Sequence, residues 1–316
     1  MHAHTRQPLG DRWRGCRIVV VLACGVVALA MADAAAAQPG VRVPACADLV
    51  SGLTRSVSRV VDGETVALDD GAELRLTGAL APRAIDAGAD AGRWPLEVAA
   101  VEELRALVLG KSIELAFGGE RSDRHGRLQA QAFSLDGGER RWVQGHLLEQ
   151  GLARAYVQAG NRACAKELLQ AEDTARRTRR GLWANAAYRI RSADAPLELA
   201  RYRSTFQLVE GRVSRAAELR GVIYLNFDVG RWAFAVSLRR ADREFLLGVH
   251  AGDAKALEGK RVRVRGWIEH QRHGPAINLS SAGLLEEIEE ADAALQAGAR
   301  RPRGRQLDLG LPKPRP

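Results

Sequence analysis

Val60-Val61-Asp62-Gly63-Glu64-Thr65-Val66-Ala67-Leu68 places an Asp-Gly turn between two runs of strand-forming residues. β-branched residues favour strands, and Asp-Gly is a common two-residue hairpin turn. A second turn, Asp69-Asp70-Gly71, leads into residues 72–76. The stretch therefore predicts a three-stranded antiparallel meander at the start of the fold.

Helices interrupt the predicted sheet. Apolar residues recur at helical intervals over residues 95–109, and Gly110 ends that pattern. Strand character returns at residues 111–116 and 128–134, and two more helices are predicted over 143–150 and 161–179. Short strands with a few helices predict a five-stranded β-barrel with helices, in the α+β class.

Four short motifs occur in a fixed order between residues 54 and 188. They are Val61-Asp62-Gly63-Glu64-Thr65, Leu74-Arg75-Leu76, Asp123-Arg124-His125-Gly126-Arg127 and Leu148-Glu149-Gln150-Gly151-Leu152-Ala153. Their order and spacing resemble the staphylococcal nuclease (thermonuclease) family. The resemblance implies an SNase-like OB-fold domain over residues 54–188 and a nuclease, a hydrolase of phosphodiesters, as the functional class.

The resemblance also implies which side chains would carry the chemistry. In that family two arginines hold the phosphate, two carboxylates bind calcium and a glutamate activates water. Calcium requires several oxygen ligands and the water requires a base, so these roles depend on carboxylates. By position, Arg75 and Arg127 match the catalytic phosphate-binding arginines, and Asp123 matches the aspartate that shapes the second turn.

The carboxylate positions depart from the family pattern. Glu64 occupies the position of the first metal-binding aspartate and is the metal-ligand candidate, with a side chain one methylene longer. Leu80 occupies the second metal position, and Arg83 occupies that of the water-activating glutamate. An arginine cannot serve as a general base because its pKa stays above about 12. We therefore expect weakened calcium binding and no other cofactor.

Three more side chains are candidates for ligand binding. Arg83 is either a third phosphate contact or a solvent-facing loop residue. His125 either contacts the nucleotide or is solvated. Tyr156 matches a family tyrosine near the nucleotide base, and packing in the core or at its rim is the alternative. The acids considered as substitutes for a lost carboxylate are Asp86, Asp90 and Glu97.

Residues 1–37 have the pattern of a secretory signal peptide. Arginines precede an apolar run over residues 18–31, which is short for a membrane span, and Ala35-Ala36-Ala37 offers a cleavage site. An uncleaved anchor is the alternative. We expect an exported protein, periplasmic or secreted, that begins near Gln38 and keeps no stable transmembrane anchor.

Cysteine usage agrees with export. After leader cleavage the chain would retain Cys46 and Cys164. Two lone thiols in an oxidising compartment tend to pair, so we predict a disulfide that ties the N-terminal segment 38–53 to a late helix. Two unpaired, packed thiols are the alternative.

The second half of the chain predicts another small domain. Residues 189–203 lack a sustained apolar period and are predicted to be a linker. Five strand-like runs then predict a second small, OB-like β-barrel over residues 204–286. The runs are 204–213, 222–227, 232–238, 261–268 and 276–279.

One strand of this second domain is basic. Arg261, Arg263 and Arg265 alternate with apolar residues, which predicts one buried face and one basic face. That basic face would either bind a polymer or be simply solvated. Trp232 and Trp267 are either stacking platforms for a ligand or core residues.

Most of the net charge of +9 lies at the two ends of the chain. The tail 298–316 contains six Lys or Arg and one Asp, and the leader contains four Arg and two Asp. Residues 287–316, an acidic helix end followed by a basic, proline-rich tail, are predicted to be disordered. Because the charge lies at the ends, it favours contact with polyanions in general.

These observations predict an exported thermonuclease-family protein with a degenerate active site. It would bind a phosphate-bearing polymer, such as nucleic acid or another polyanion, or an envelope protein partner, with little or no hydrolysis. One alternative is a secreted phosphodiesterase that uses Glu64, Arg75, Arg127 and another carboxylate. The second alternative is an envelope protein-interaction scaffold.

Overall fold

A computed structural model describes residues 46, 49–87, 94–228, 230, 232–247, 253–280 and 283–288. These residues belong to one compact unit, 40–316. The predicted leader, Asp90 and the basic tail lie outside the described residues. Within the described ranges, no helix has the length and hydropathy needed to cross a membrane.

The first half of the described chain alternates short strands with helices, as the sequence pattern predicts. In chain order the elements are β1 (Val50–Asp62), β2 (Thr65–Leu68), β3 (Glu73–Leu76), β4 (Gly78–Leu80), α1 (Pro95–Val108), β5 (Ser112–Phe117), β6 (Leu128–Asp136), β7 (Glu139–Trp142), α2 (Val143–Glu149), β8 (Arg154–Tyr156) and α3 (Ala165–Arg177).

Strands β1, β2, β3, β5 and β6 close into a barrel. Neighbouring strands follow the order β3-β2-β1-β5-β6, and parallel pairing of β3 with β6 closes the circle. Closure leaves no free sheet edge, and alternate side chains fill the interior. Leu74, Ile113 and Phe133 are among the buried core residues. The predicted five-stranded, OB-like barrel with helices is confirmed for this half.

The second half contains a mostly antiparallel sheet. Its elements are β9 (Arg191–Ser192), α4 (Pro196–Leu199), β10 (Phe206–Arg212), β11 (Arg215–Leu219), β12 (Val222–Asn226), β13 (Ala235–Arg239), β14 (Leu246–Leu247), β15 (Arg261–Gln271), β16 (Gly274–Asn278) and β17 (Leu284–Glu287).

The strand order of this sheet resembles that of the first barrel. Neighbours run β11-β12-β13-β16-β15-β10, with β13 and β16 parallel. Only Val213 and Ser214 separate β10 from β11, so these two strands take the place of one bent strand. A pairing between β10 and β11 is not among those of the described residues, and a second closed barrel stays a prediction.

Two segments differ from their predicted local structure. Residues 189–203, the predicted linker, carry β9, which pairs with β10, and the fully buried Leu199 of α4. Glu286 and Glu287, at the start of the predicted acidic segment, belong to β17, and the part of that segment after residue 288 lies outside the described residues. Glu286 accepts a hydrogen bond from Arg265 at 2.6 Å, so a partner on β15 holds this acidic segment in the sheet.

The predicted basic, solvent-facing strand is wrong for two of its three arginines. Arg263 and Arg265 on β15 are 2% and 0% exposed. A buried guanidinium requires carboxylate partners. Arg263 donates to Glu210 at 2.8 and 2.9 Å, whereas Arg265 donates to Glu172 on α3 in the first half of the chain. The β15 arginines therefore contribute to the interior and to the contact between the two halves.

Candidate functional site

The turn after β1 brings Glu64 into the barrel wall. Asp62 Oδ1 accepts a hydrogen bond from the Glu64 backbone N–H at 2.8 Å and so shapes this turn. A Cβ on Gly63 would lie 2.7 Å from the Cβ of Ala81, so glycine permits close approach to the segment that carries Arg83. As a result Glu64 is only 1% exposed and lies beside Ala81.

Both carboxylate oxygens of Glu64 are engaged by the protein itself. Oε1 lies 3.0 Å from Arg75 Nη2 and 2.5 Å from Arg83 Nη2. Oε2 accepts a hydrogen bond from the Ala81 backbone N–H at 2.9 Å. Arg75 reaches this carboxylate because β3 pairs with β2, which begins one residue after Glu64. The predicted metal ligand is therefore the shared partner of two guanidinium groups.

Arg83 is held as a cation at the position where the resemblance places a general base. Burial alone would lower the pKa of Arg83, but the charges of Glu64 and Asp62 raise it above its ordinary value. Its side chain is 43% exposed, so part of the guanidinium reaches solvent while Nη2 binds Glu64. Such a group can bind an anion but cannot accept a proton from water.

Leu80, at the second metal position, is an interior residue. It is 2% exposed and clusters with Phe206 and Leu208 of β10, from the second half of the chain. An apolar side chain offers no oxygen ligand, and Glu64 is already occupied by cations. Among the described residues, no three His, Cys, Asp or Glu side chains are grouped so that they could hold a metal ion. The residues present do not fit a calcium ion.

The second turn holds Arg127 through Asp123. Asp123 Oδ2 accepts from Arg127 Nε at 2.8 Å, and Oδ1 accepts from the backbone N–H groups of His125 and Arg127 at 2.8 and 3.0 Å. Partial burial by itself would raise the pKa of Asp123, but these hydrogen bonds lower it below its ordinary value. Asp123 and Arg127 thus form an ion pair within the turn that precedes β6.

Strand register brings the two family arginines to neighbouring positions. Parallel pairing places Arg75 on β3 opposite Gln129 on β6. Arg127 precedes Gln129 by two residues and lies one residue before β6 begins. Arg75 therefore lies on the strand next to β6, and Arg127 lies just before β6. Each has a carboxylate partner, and their side chains keep 15% and 24% exposure.

Of the acids named as possible substitutes, Asp86 is held in an ion pair with an arginine. Asp86 accepts from Arg154 Nη2 at 2.7 Å, and both side chains are nearly buried. Asp86 also helps raise the pKa of Tyr188 to about 12, although burial is the larger cause. Glu97 lies in the first turn of α1. Sequence reasoning missed the Asp86–Arg154 pair because no local pattern signals partners 68 residues apart.

The remaining ligand-binding candidates lie in contrasting environments. His125 is exposed, and its Nε2 accepts a hydrogen bond from Arg124 Nε at 3.1 Å. Tyr156 is half-buried and packs edge-to-face against Phe206 and Trp267, with ring centroids 5.4 and 6.4 Å away. This contact corresponds to the packing alternative left open for Tyr156, and it makes Trp267 part of an aromatic cluster.

Cys46 and Cys164 form a disulfide in the structure. Cys164 immediately precedes α3, in a left-handed backbone conformation with φ of 65°. The bond spans 118 residues of sequence and joins the segment before β1 to the start of the last helix of the barrel. The disulfide therefore ties the segment before the barrel to the start of α3.

Comparison with known protein families gives a match, which lies in the first half of the chain. A family model described as staphylococcal nuclease homologue matches residues 73–185. The match includes Arg75, Leu80, Arg83 and Arg127 and begins after Glu64. The comparison with curated proteins found no match. Residues 73–185 are therefore similar to a staphylococcal nuclease homologue domain, which suggests a nuclease-like or nucleic-acid-binding function for this part of the chain.

Proposed function

We propose that this protein is exported and binds a phosphate-bearing polymer, with nucleic acid as the ligand, and that it does so without hydrolysis. The observation that carries this proposal is the Glu64 carboxylate, which is shared by Arg75 and Arg83 and bound by the Ala81 N–H. A carboxylate in this state is shared by two cations, and both of its oxygens are engaged by the protein.

The absence of hydrolysis follows from the groups that the reaction would require. Attack of water on a phosphodiester needs a base to remove a proton and positive charge to stabilise the oxygens of the transition state. Arg83 supplies a cation where the base would be, and Leu80 is covered by Phe206. The site thus keeps positive charge but offers no proton acceptor at the expected position.

Binding is supported by the arginines that this site retains. Arg75, Arg83 and Arg127 present three guanidinium groups against the two carboxylates of Glu64 and Asp123. Guanidinium groups suit phosphate because they donate paired hydrogen bonds and remain charged. The carboxylates restrict their orientation, so less side-chain entropy is lost on binding.

Export is supported by the leader pattern of residues 1–37 and by the Cys46–Cys164 disulfide. Disulfides persist mainly in oxidising compartments such as the periplasm or the cell exterior. A nucleic-acid-binding protein in such a place would meet free nucleic acid or other polyanions rather than a chromosome.

The test combines cleavage and binding in one set of samples. Labelled single-stranded DNA is incubated with the purified chain in calcium and in chelator, and fluorescence anisotropy measures affinity at several salt concentrations. The variant Arg75→Gln, Arg127→Gln is compared with Lys166→Gln, Lys255→Gln, which loses the same charge at exposed positions elsewhere.

We expect no calcium-dependent cleavage, salt-sensitive binding, and weaker binding for the arginine variant than for the lysine variant. Calcium-dependent cleavage that disappears in the arginine variant would instead establish a phosphodiesterase. A folded chain that binds no oligonucleotide would contradict the proposal and favour a protein-interaction scaffold.

A further inference from the structure

The Arg83 segment, residues 81–87, follows β4 and is held by hydrogen bonds to two carboxylates. The Ala81 backbone N–H donates to Glu64 Oε2 at 2.9 Å, and the Arg83 backbone N–H donates to Asp86 Oδ2 at 3.2 Å. The Asp86 N–H in turn donates to the Arg83 carbonyl at 3.0 Å, which closes a short turn. Glu64 already belongs to the candidate site. The position of Arg83 therefore also depends on what holds Asp86, a residue to which the proposed function assigns no role.

Asp86 Oδ2 is the atom through which this segment meets the rest of the chain. The same oxygen that accepts from the Arg83 N–H also accepts from Arg154 Nη2 at 2.7 Å and from the Tyr188 hydroxyl at 3.4 Å. The side chains of Arg154 and Asp86 are 4% and 8% exposed. An unpaired charge in the interior is strongly unfavourable, so Asp86 depends on these donors.

Arg154 ties Asp86 to the second sheet. It lies opposite Leu80 in the β4–β8 pair, so its side chain starts from the strand beside the one that leads to Arg83. Nη1 donates at 2.7 Å to the carbonyl of Phe206, the first residue of β10, while Nη2 holds Asp86. A guanidinium presents its donors in a rigid fork, so holding both acceptors restricts its orientation. The Arg83 segment is therefore fixed against a backbone carbonyl of the second sheet.

Tyr188 gives the same carboxylate a second support. Its hydroxyl donates to Asp86 and accepts a hydrogen bond from Trp94 Nε1 at 3.1 Å. Trp94 immediately precedes α1, so the hydroxyl links the Arg83 segment to the start of that helix. The guanidinium of Arg154 also lies over the Tyr188 ring, 5.0 Å from its centroid. Arg154 and Tyr188 together restrict the position of Asp86.

We propose that Arg154 is a positioning residue for Arg83 in the proposed phosphate-binding site. Arg154 is itself too buried to contact a polymer, so it acts through Asp86 and the Arg83 backbone. The inference rests on the proposed function and deepens it, because it makes the second sheet a requirement for phosphate binding. Without this support Arg83 would keep its charge but sample more orientations, and ordering it again on binding would cost entropy.

The first experiment measures the Arg83 segment itself, in the whole chain and without ligand. Hydrogen–deuterium exchange followed by mass spectrometry reports local opening of the peptide that covers residues 80–87. We expect exchange there to be faster by about tenfold in Arg154→Met and by about threefold in Tyr188→Phe, because each variant removes a hydrogen bond to Asp86. Far-ultraviolet circular dichroism confirms that each variant is folded.

Arg263→Met is the matched control for these variants. Arg263 is also a buried arginine paired with a carboxylate, that of Glu210, but the pair lies within the second sheet. Its loss should lower the overall stability of the chain and leave exchange over residues 80–87 unchanged. The control therefore separates local release of the Arg83 segment from general destabilisation.

The second experiment measures binding of a fluorescein-labelled twelve-nucleotide oligothymidine by anisotropy in a double-mutant cycle. Arg83→Gln and Arg154→Met should each weaken binding by about tenfold, and the double variant should bind no more weakly than Arg83→Gln alone. Arg263→Met should stay within about twofold of the original chain. Tyr188→Phe removes a single hydroxyl, so it supplies the same comparison if Arg154→Met does not fold.

The outcomes separate this inference from the proposed function. Unchanged exchange over residues 80–87 in Arg154→Met and Tyr188→Phe overturns the positioning role, whatever the chain binds. A folded chain that binds no oligonucleotide overturns the proposed function, and faster exchange in that chain still supports the hold of Arg154 on the segment. Additive weakening in the double variant, or equal weakening by Arg263→Met, overturns the action of Arg154 through Arg83 and leaves a buried pair that contributes to stability alone.

Discussion

The guanidinium of Arg265 donates to the two carboxylate oxygens of Glu172 at 2.8 and 2.9 Å, and neither side chain is exposed to solvent. Arg265 belongs to β15 of the second sheet, and Glu172 belongs to α3 of the nuclease-like domain. Glu172 also accepts from the Ala155 backbone N–H at 2.6 Å, and Glu286 binds the other side of Arg265. The second sheet is thus an integral part of the folded unit.

Removing Arg265 should destabilise the whole chain. Arg265→Ala removes the closer of the two arginines paired with the buried carboxylate of Glu172, the other being Arg176 at 3.6 Å. Loss of one partner of a buried ion pair costs about 3–5 kcal/mol. Urea unfolding should show a lower midpoint with an unchanged slope. Arg177→Ala is the control because its pair with Asp173 is exposed and should contribute little. Equal effects of the two substitutions would contradict the proposed importance of the buried pair.

Neutralising Glu64 should strengthen nucleic-acid binding while weakening the fold. Glu64→Gln releases Arg75 and Arg83 from their shared carboxylate, so phosphate oxygens would meet less competition for both guanidinium groups. We expect tighter binding of oligothymidine and a steeper salt dependence, measured by anisotropy. Glu73→Gln removes a charge from the nearby β3, where Glu73 has no ion pair among the described residues, and should change affinity less. Equal affinity in both variants would argue against competition by Glu64.

Restoring a carboxylate at position 80 should not restore a calcium site. Leu80→Asp would place a charge among Phe206 and Leu208, where burial without a partner is strongly unfavourable. We expect a much lower melting temperature and no stabilisation by calcium. Leu80→Met keeps the volume and apolar character, so its cost should be below about 1.5 kcal/mol. Calcium-dependent stabilisation of the aspartate variant would show that this position can still hold the ion.

The disulfide should be a major source of stability. Reduction, or the double substitution Cys46→Ser, Cys164→Ser, opens a loop that spans 118 residues. Because a cross-link of this length restricts the unfolded chain, its loss should cost about 2–5 kcal/mol. Urea unfolding with and without reductant measures the effect. Reductant should have no further effect on the double serine variant.

Acid should weaken the fold through Asp123. The pKa of Asp123 is lower in the folded chain than its ordinary value, because Arg127 and two backbone N–H groups bond to the ionised form. Its contribution to stability is therefore complete above pH of about 4 and is lost as pH falls through the lower, folded pKa. The free energy of unfolding of Asp123→Asn should depend less on pH between about 2 and 4. An identical pH profile would exclude a contribution from this carboxylate.

Local sequence patterns were sufficient for the barrel and for the turn that carries Glu64. Alternating apolar residues and Asp-Gly turns predicted β1 to β3, and the 95–109 pattern predicted α1, which ends at Val108. These signals are local because strand and helix faces are set by the repeat of the backbone. The family positions of Arg75 and Arg127 are predictions from motif spacing, and the family-model match spans both residues.

Long-range partners were not predictable in the same way. Alternation on β15 correctly predicted buried valines, but it also predicted a solvated basic face, and Arg265 is in fact fully buried. Its partner Glu172 lies 93 residues earlier. Likewise, nothing around Leu80 indicates that Phe206 would cover it. Periodicity distinguishes two faces of a strand but does not show what packs against each face.

The sequence by itself determined the class of the first domain, and it placed Leu80 and Arg83 where the family resemblance predicts carboxylates. Only the tertiary structure decided that Glu64 forms ion pairs with both Arg75 and Arg83. It also decided that Phe206 and Leu208 of the second sheet cover Leu80. The physical reason is that side-chain type is local, whereas the charge state and accessibility of a site depend on partners brought together by folding.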